Sequence, residues 1–391
     1  MLNPIQAIQR RTPLGWLQLS RQKGKLMVAL SGIAFADVLM FMQLGFQAAL
    51  FESSVRTHRI LNADVVLFSP QALNIGNLST FPRRRLLQAQ DIPGVESAHG
   101  MYINNVVWKN PQTHQETAIR VLGFEPSFLA LQLPEVAKGL DQVKLPDTFL
   151  FDQASRGSYK QVIADLKQGK LVKTEIERHT ITLADTFTIG SSFGTDGHLV
   201  TSDQNFLRLF PRKSAQSVSL GMLKLEPGAN PDVVVSHLKQ HLPNDVFVMT
   251  RNQFMEFEKG YWQRNTSIGF IFSMGVTMGF IVGIVIVYQV LSTDVNAHMA
   301  EYATFKAMGY GNGYLLSVIF EEAIILAILG FIPGVAGALG LYTLASNGTK
   351  LPIFMTLGRA TTVLMLTAIM CVISGAIATR KLQSADPADI F

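Results

Sequence analysis

Four long runs of apolar residues, at 26–50, 267–291, 315–344 and 360–379, interrupt an otherwise mixed chain of 391 residues. A bilayer hydrocarbon core about 30 Å thick takes roughly 20 apolar residues in a helix, and each run is that long. The second and fourth runs contain no Asp, Glu, Lys or Arg. Asp37 interrupts the first, and the third carries Glu321 and Glu322 near its start and Pro333 within it. The pattern predicts four transmembrane helices. The first run is too long for the apolar region of a cleaved leader, about 7–15 residues, and its polar lead is long as well, so a retained anchor is expected.

Between the first two runs, residues 51–266 alternate and cluster as a folded α+β domain does. Asp64 to Phe68 is a short apolar run closed by Ser69-Pro70, which predicts a strand. Phe81 to Gln90, opened by Pro82 and stopped before Pro93-Gly94, predicts a helix. Val95 to Trp108 and Thr117 to Phe124, joined across Asn110-Pro111, predict a hairpin. A second β-rich part covers 170–180, 181–190 and 217–225, and Asn230-Pro231 opens another helix that ends at Leu242. Thr250-Arg-Asn-Gln253 is a capping box, with no Gly-Pro break before Ser267 and Gly260 as the one weak point. One helix is therefore expected to start in the domain and run into the second span, as a rigid lever carrying Phe257, Glu258, Tyr261 and Trp262. The alternative is an ordinary linker.

Charge orients these elements. Residues 1–25, a basic and amphipathic stretch, hold Arg10, Arg11, Arg21, Lys23 and Lys25 and no acid. A basic block beside an apolar run marks the cytoplasmic side near anionic lipid. Four crossings then return the tail 380–391 to the cytoplasm, beginning with Arg380 and Lys381. Residues 51–266 and the short loop 345–359 lie outside, and the loop 292–314 inside. Lys306 alone inside against Lys350 and Arg359 outside runs against this order, and the N-terminal block outweighs it. The net charge of +5 is concentrated at that block, and no RNA-binding signature or zinc spacing supports nucleic acid as a partner. The single cysteine, Cys371, lies inside an apolar run, so no intrachain disulfide braces the outer domain.

Candidate chemistry is sparse. Gly190-Ser-Ser-Phe-Gly194 fits a nucleophile-elbow pattern centred on Ser192, but Thr195-Asp196-Gly197 leaves it as a turn where that motif needs a helix. His237 and His241 share a helix face, yet Leu238 stands where a zinc-binding helix usually carries Glu. No Gly-x-x-x-x-Gly-Lys-Ser/Thr occurs: Lys173-Thr174 and Lys213-Ser214 lack the glycines, so ATP and its magnesium must be bound by a partner and no cofactor is expected here. Asp37 near mid-bilayer is costly and reads either as a hydrogen-bonded helix contact or as a gating or dimer residue. Glu321 and Glu322 lie closer to the inner surface. Gly330, Gly334, Gly337 and Gly340 around Pro333 serve either close packing or bending of the third span.

The inner loop reads Glu301-Tyr-Ala-Thr-Phe-Lys-Ala-Met-Gly309, followed by the third span. This resembles the coupling segment of the FtsX/MacB-type (type VII) ABC permeases: acid, apolar stretch, base, Ala, apolar residue, Gly. Asn62 to Pro70, Phe257 to Trp262 and Ala385 to Phe391 sharpen the likeness to the DevC-like cyanobacterial exporter permeases of that superfamily. The resemblance covers the whole chain. It implies a MacB/FtsX-like fold, four transmembrane helices with both termini inside and a periplasmic α+β domain between the first two, in the inner membrane.

It also implies a non-enzymatic homodimer that works with a separate MacB-type (DevA-like) ATPase. A DevB-like membrane-fusion protein and a TolC-like outer-membrane channel would complete a tripartite efflux pump. Glu301, Tyr302, Thr304, Lys306, Ala307, Met308 and Gly309 would then dock the ATPase, although Glu301 and Lys306 also fit plain solvated charges. The implied task is mechanotransmission, in which ATP hydrolysis below moves the periplasmic domain above and exports a lipid-like cargo, a glycolipid in the best-known relatives. The competing readings are an FtsX-like signalling scaffold that controls a periplasmic hydrolase, a lipoprotein-releasing permease, and a membrane-tethered esterase centred on Ser192.

Overall fold

The computed structural model describes residues 23–301, 304, 308 and 312–383. The chain divides into two compact units. Of the described residues, one takes those up to Ala48, those within Gly269–Ser346 and those from Ile353 onward; the other takes Ala49–Ile268 and Asn347–Pro352.

The first apolar run forms helix α1 (Lys23–Ser54), and a short α2 (Arg56–Ile60) follows it. The outer unit then continues through β1 (Val65–Phe68), β2 (Phe81–Pro82), α3 (Arg84–Gln90), β3 (Val95–Lys109) and β4 (Glu116–Phe124). Next come α4 (Pro134–Gly139), β5 (Thr148–Asp152), α5 (Lys160–Lys167), β6 (Val172–Ile176), β7 (His179–Phe187) and β8 (His198–Ser202). It closes with α6 (Asp203–Leu209), β9 (Ser217–Val218), β10 (Leu220–Leu225), α7 (Pro231–His241), β11 (Phe247–Thr250) and α8 (Arg251–Arg264).

Nine strands form one sheet in the order β11-β1-β10-β3-β4-β8-β5-β7-β6, while β2 and β9 pair separately. β6 also pairs with the far end of β3 through Trp108↔Ile176, which closes six strands into a ring. Closure removes a free edge that would otherwise invite pairing with another chain. Alternate residues of β1 feed opposite faces: Val65 and Leu67 enter one core with Trp108, Phe151 and Leu183, and Val66 and Phe68 enter the other with Met101, Phe124 and Phe254. A strand with both faces covered reads as a continuous apolar run, as Val65–Phe68 does. Each fully buried large side chain contributes about 1.5–3 kcal/mol, which explains how the domain is held without a disulfide.

The local signals act as expected at several places. The Asn230 side chain accepts the Asp232 N–H and Pro231 opens α7. Thr250 and Gln253 form the complete capping box at the start of α8. Between Phe81 and Gln90 the expected helix is shortened: Phe81 and Pro82 pair with Val218 and Ser217, and the helix begins at Arg84.

The expected continuous lever is also corrected. α8 ends at Arg264, and helix α9 (Ser267–Ala297) starts anew. At the break, Thr266 Oγ1 donates to the Trp262 carbonyl at 2.6 Å and Asn265 N–H to the Tyr261 carbonyl at 2.9 Å. A side chain that bonds back to the preceding turn competes with helix continuation without any Gly or Pro.

Helices α10 (Asn312–Thr349) and α11 (Leu357–Gln383) complete the membrane unit with α1 and α9. All four are long and apolar enough to cross a bilayer. In lipid every backbone polar group must be satisfied within the helix, which is what such runs achieve. Ala29, Ile33 and Ala36 of α1 meet Leu291 of α9, Ala323 and Ala327 of α10, and Cys371 and Ala378 of α11. Small side chains there let the backbones approach closely. A Cβ at Gly330 would stand 2.6 Å from Ile33 Cγ2, and one at Gly334 would stand 2.8 Å from Asp37 Cβ. Those two glycines therefore serve close packing, whereas Gly340 faces open space. The helix runs on through Pro333.

Candidate functional site

Beyond α9 the described residues of the 292–314 loop keep two bonds of helical spacing. Thr304 Oγ1 donates to the Ala300 carbonyl at 2.9 Å, and Met308 N–H to the Thr304 carbonyl at 3.0 Å, the i to i−4 spacing of a helix. Glu301, Thr304 and Met308 are all exposed, with Met308 at 60%. Tyr302, Lys306, Ala307 and Gly309 lie outside the described residues. An acid, a hydroxyl and a large apolar side chain are thus each exposed to solvent, a mixture that suits contact with another protein.

α8 is fastened to the outer domain by its inner face. Phe254 is fully buried, with ring centroids 4.4 Å from His58 and 4.9 Å from Phe68; Phe257 lies 5.3 Å from Phe68. Glu258 is buried too. Its Oε2 accepts the Ile75 N–H at 2.8 Å and its Oε1 accepts Trp262 Nε1–H at 2.9 Å, while His58 Nε2 stands 3.5 Å away at ion-pair distance without a hydrogen bond. Burial pushes the carboxyl up, but His58 and these donors outweigh it and hold Glu258 below its ordinary 4.5. Tyr261 is half-buried and its ring stands edge-on to Trp262. Of the four expected lever residues, Glu258 is the one whose side chain bonds to the distant Ile75 backbone. Its partners His58 and Ile75 come from segments 200 and 183 residues earlier in the chain, so no local pattern announced them.

A second buried network supports the sheet. Asp152 accepts the Ile189 N–H at 3.1 Å, the Gly190 N–H at 2.8 Å and the Ala154 N–H at 3.0 Å. His198 Nδ1 lies 3.2 Å from Asp152 Oδ2, and its Nε2 3.3 Å from Thr57 Oγ1. Burial pushes His198 below its ordinary 6.5, against the pull of Asp152. Nearby Arg120, also buried, donates through Nε to Asn105 Oδ1 at 2.9 Å; burial lowers its guanidinium to about 10 against the charge of Glu258.

The loop after α10 is tied into the outer unit. Arg156 Nε donates to the Thr349 carbonyl at 2.8 Å, and Ser191 Oγ to the Lys350 carbonyl at 3.3 Å. Arg156 also reaches Asp196 Oδ1 at 3.0 Å and the Ser192 carbonyl at 3.2 Å.

In the membrane unit Asp37 is fully buried on α1, and Thr367 Oγ1 donates to its Oδ1. Its Oδ2 and both carboxylate oxygens of the fully buried Glu322 have no hydrogen-bond partner among the described residues; Glu321 is half-buried. Asp294, not singled out by the sequence, is buried on α9 with its Oδ2 3.4 Å from His298 Nδ1.

The two enzymatic candidates have other geometries. Ser192 Oγ accepts the Gly194 N–H at 3.1 Å in a turn that leads to β8, not to a helix. His241 Nδ1–H donates to the His237 carbonyl at 2.8 Å, an internal helix bond. Among the described residues no group of three His, Cys, Asp or Glu could hold a metal ion.

Comparison with known proteins adds the following. No curated protein matches the chain. Among solved structures, the periplasmic region of MacB from Actinobacillus actinomycetemcomitans is 11% identical, covering 52% of this chain and 94% of that one with a TM-score of 0.36. The extracellular domain of the noncanonic ABC-type transporter YknZ from Gram-positive bacteria is 11% identical, covering 48% and 99% with a TM-score of 0.30. A domain of a putative permease protein from Porphyromonas gingivalis is 15% identical, covering 48% and 88% with a TM-score of 0.31. The family model that matches is the FtsX-like permease C-terminal domain, over residues 273–387, a stretch that takes in most of α9 and all of α10 and α11.

Proposed function

We propose that this chain is the membrane permease subunit of an FtsX/MacB-type ABC exporter, a homodimer that converts hydrolysis by a separate ATPase into movement of its outer domain. The FtsX-like permease match over residues 273–387 carries the reading. The exposed trio Glu301, Thr304 and Met308 supports it as a docking surface beneath the third span. Lys306 and the remaining residues of 301–309 complete that surface in this proposal. ATP binding closes the ATPase dimer and shifts α10 and α9. The outer domains then drive a lipid-like cargo, a glycolipid in the finer form of the reading, into a periplasmic fusion protein and a TolC-like channel. ATP moves this equilibrium only as far as it binds the closed state better than the open one. The chain sits in the inner membrane with the sheet domain in the periplasm.

The test is affinity purification of the tagged full-length chain from its native membrane, with the partners identified by mass spectrometry. The expected set is an ATPase with a phosphate-cradling loop and a fusion protein. A cell-wall hydrolase in place of the fusion protein would favour a signalling scaffold, a soluble lipoprotein carrier would favour lipoprotein release, and the absence of any ATPase would end the proposal. Glu301→Lys should leave membrane insertion intact and abolish ATPase association.

A further inference from the structure

A cavity of about 630 Å³ opens in the outer unit beside the end of α1. Arg56, Arg59, Lys350, Gln153, Ile60 and Ile189 contribute to its wall. Three cations meet there, and the acids nearest to them are already engaged. Glu52 pairs with Arg59. Asp152 lies behind the wall, and its carboxylate is taken up by three backbone N–H groups and His198. Arg56 makes one long hydrogen bond, Nη1 to the Ile189 carbonyl at 3.4 Å, and has no carboxylate within ion-pair distance among the described residues. The same holds for Lys350, whose side chain is exposed. A guanidinium with its donors largely unused suits an oxyanion, which it can grip through two parallel bonds.

The backbone around the cavity is shaped to this end. Gly190 has φ +99°, a backbone conformation that favours glycine, and a Cβ there would stand 2.3 Å from Arg56 Nη1 and push the guanidinium from its present place. Lys350 has φ 57°, a left-handed conformation unusual for lysine, and Ser191 holds its carbonyl. Strain of this kind persists where the surroundings impose it and is concentrated at binding sites.

Chain position says which oxyanion. Arg56 and Lys350 each follow an apolar run by six residues, which places both about 9 Å past the hydrocarbon edge at about 1.5 Å per helical residue. The polar layer of one leaflet is about 5–7 Å deep. The two backbones thus stand about 2–4 Å beyond the headgroup layer, a gap that a long arginine or lysine side chain can span, and the cavity wall mixes the cations with Ile60 and Ile189.

We infer that this cavity binds the anionic phosphate headgroup of an amphiphile at the outer membrane surface, with Arg56 and Lys350 as its ligands. The inference goes beyond the export reading and needs no ATPase, so either can fail without the other. The test is calorimetric titration of the purified full-length chain with monomeric dihexanoylphosphatidylglycerol, dihexanoylphosphatidylcholine and inorganic phosphate. The anionic lipid should bind saturably, about tenfold tighter than the zwitterionic one. Arg56→Gln should weaken it about tenfold or more. Lys350→Gln, an exposed change that leaves the fold intact, should weaken it about threefold or more. Equal binding of the two lipids would overturn the recognition of charge. Inorganic phosphate binding as tightly as the lipid would overturn the headgroup in favour of a free anion. Unchanged affinity in a folded Lys350→Gln protein would overturn the location.

Discussion

Arg156 donates through Nε to the carbonyl oxygen of Thr349 at 2.8 Å, fastening the last residue of α10 to the sheet domain across 193 positions of sequence. The bond has a topological consequence. The domain precedes α9, and Thr349 follows α10. If both lie on one side of the bilayer, the two helices between them must make an even number of crossings, as the four-span reading requires.

Arg156→Ala removes the bonds to Thr349, Asp196 and Ser192 together. The stability of the outer domain should fall by about 1–3 kcal/mol. Limited proteolysis of the full-length chain should then cut the loop around 347–352 first. A wild-type cleavage pattern would show that the tie carries no weight.

Acid should loosen the outer domain in two steps. His198 is buried and its pKa is depressed below 6.5, so its neutral form is favoured by folding; that contribution is present above 6.5 and is lost as pH falls through the folded value. Glu258 is likewise depressed below 4.5 and gives up its contribution at lower pH still. Thermal unfolding of the full-length chain should fall below pH 6.5 and fall again in the range below 4.5. His198→Gln should cost about 1–3 kcal/mol at neutral pH and flatten the first step. A melting temperature independent of pH in the native chain across this range would refute the assignment.

Gly334 should be intolerant and Gly340 tolerant. A Cβ at 334 meets Asp37 Cβ at 2.8 Å, and neither helix backbone can give way cheaply, whereas nothing lies within 4 Å of one at 340. Gly334→Val should destabilise the helical unit by about 1–3 kcal/mol in detergent melts, with Gly340→Val close to wild type. Equal effects would mean that α1 and α10 do not approach closely at this point.

These examples show why some of the molecule was legible in its sequence. The spans, the Val95–Phe124 hairpin, the Asn230 cap and the Thr250 capping box rest on patterns confined to a few neighbouring residues. β5 and β8 went unread because both are five residues long and buried on both faces, so they show no alternation. They also carry Asp152, His198 and Thr201, polar residues satisfied by partners far along the chain. The break between α8 and α9 depends on one threonine hydroxyl bonding back to Trp262. The binding cavity gathers Arg56, Gly190 and Lys350 from three distant segments, a grouping that tertiary packing alone creates.

Asp37 offers the last test. It is fully buried in α1, accepts the Thr367 hydroxyl at Oδ1, and has no partner at Oδ2 among the described residues. A carboxylate at such depth is costly, so its retention calls for either a packing or a gating reason. Gly334 presses on its Cβ, which argues for a residue built into the α1–α10 contact. On that account Asp37→Asn, which keeps the Oδ1 acceptor and nearly the same volume, should leave the detergent melting temperature close to wild type, and with it the proposed ATP-driven export. Thr367→Val strips the remaining partner and should cost about 0.5–1.5 kcal/mol. If Asp37→Asn instead melted normally but no longer exported, the carboxylate itself would be part of the working cycle and the packing account would be wrong.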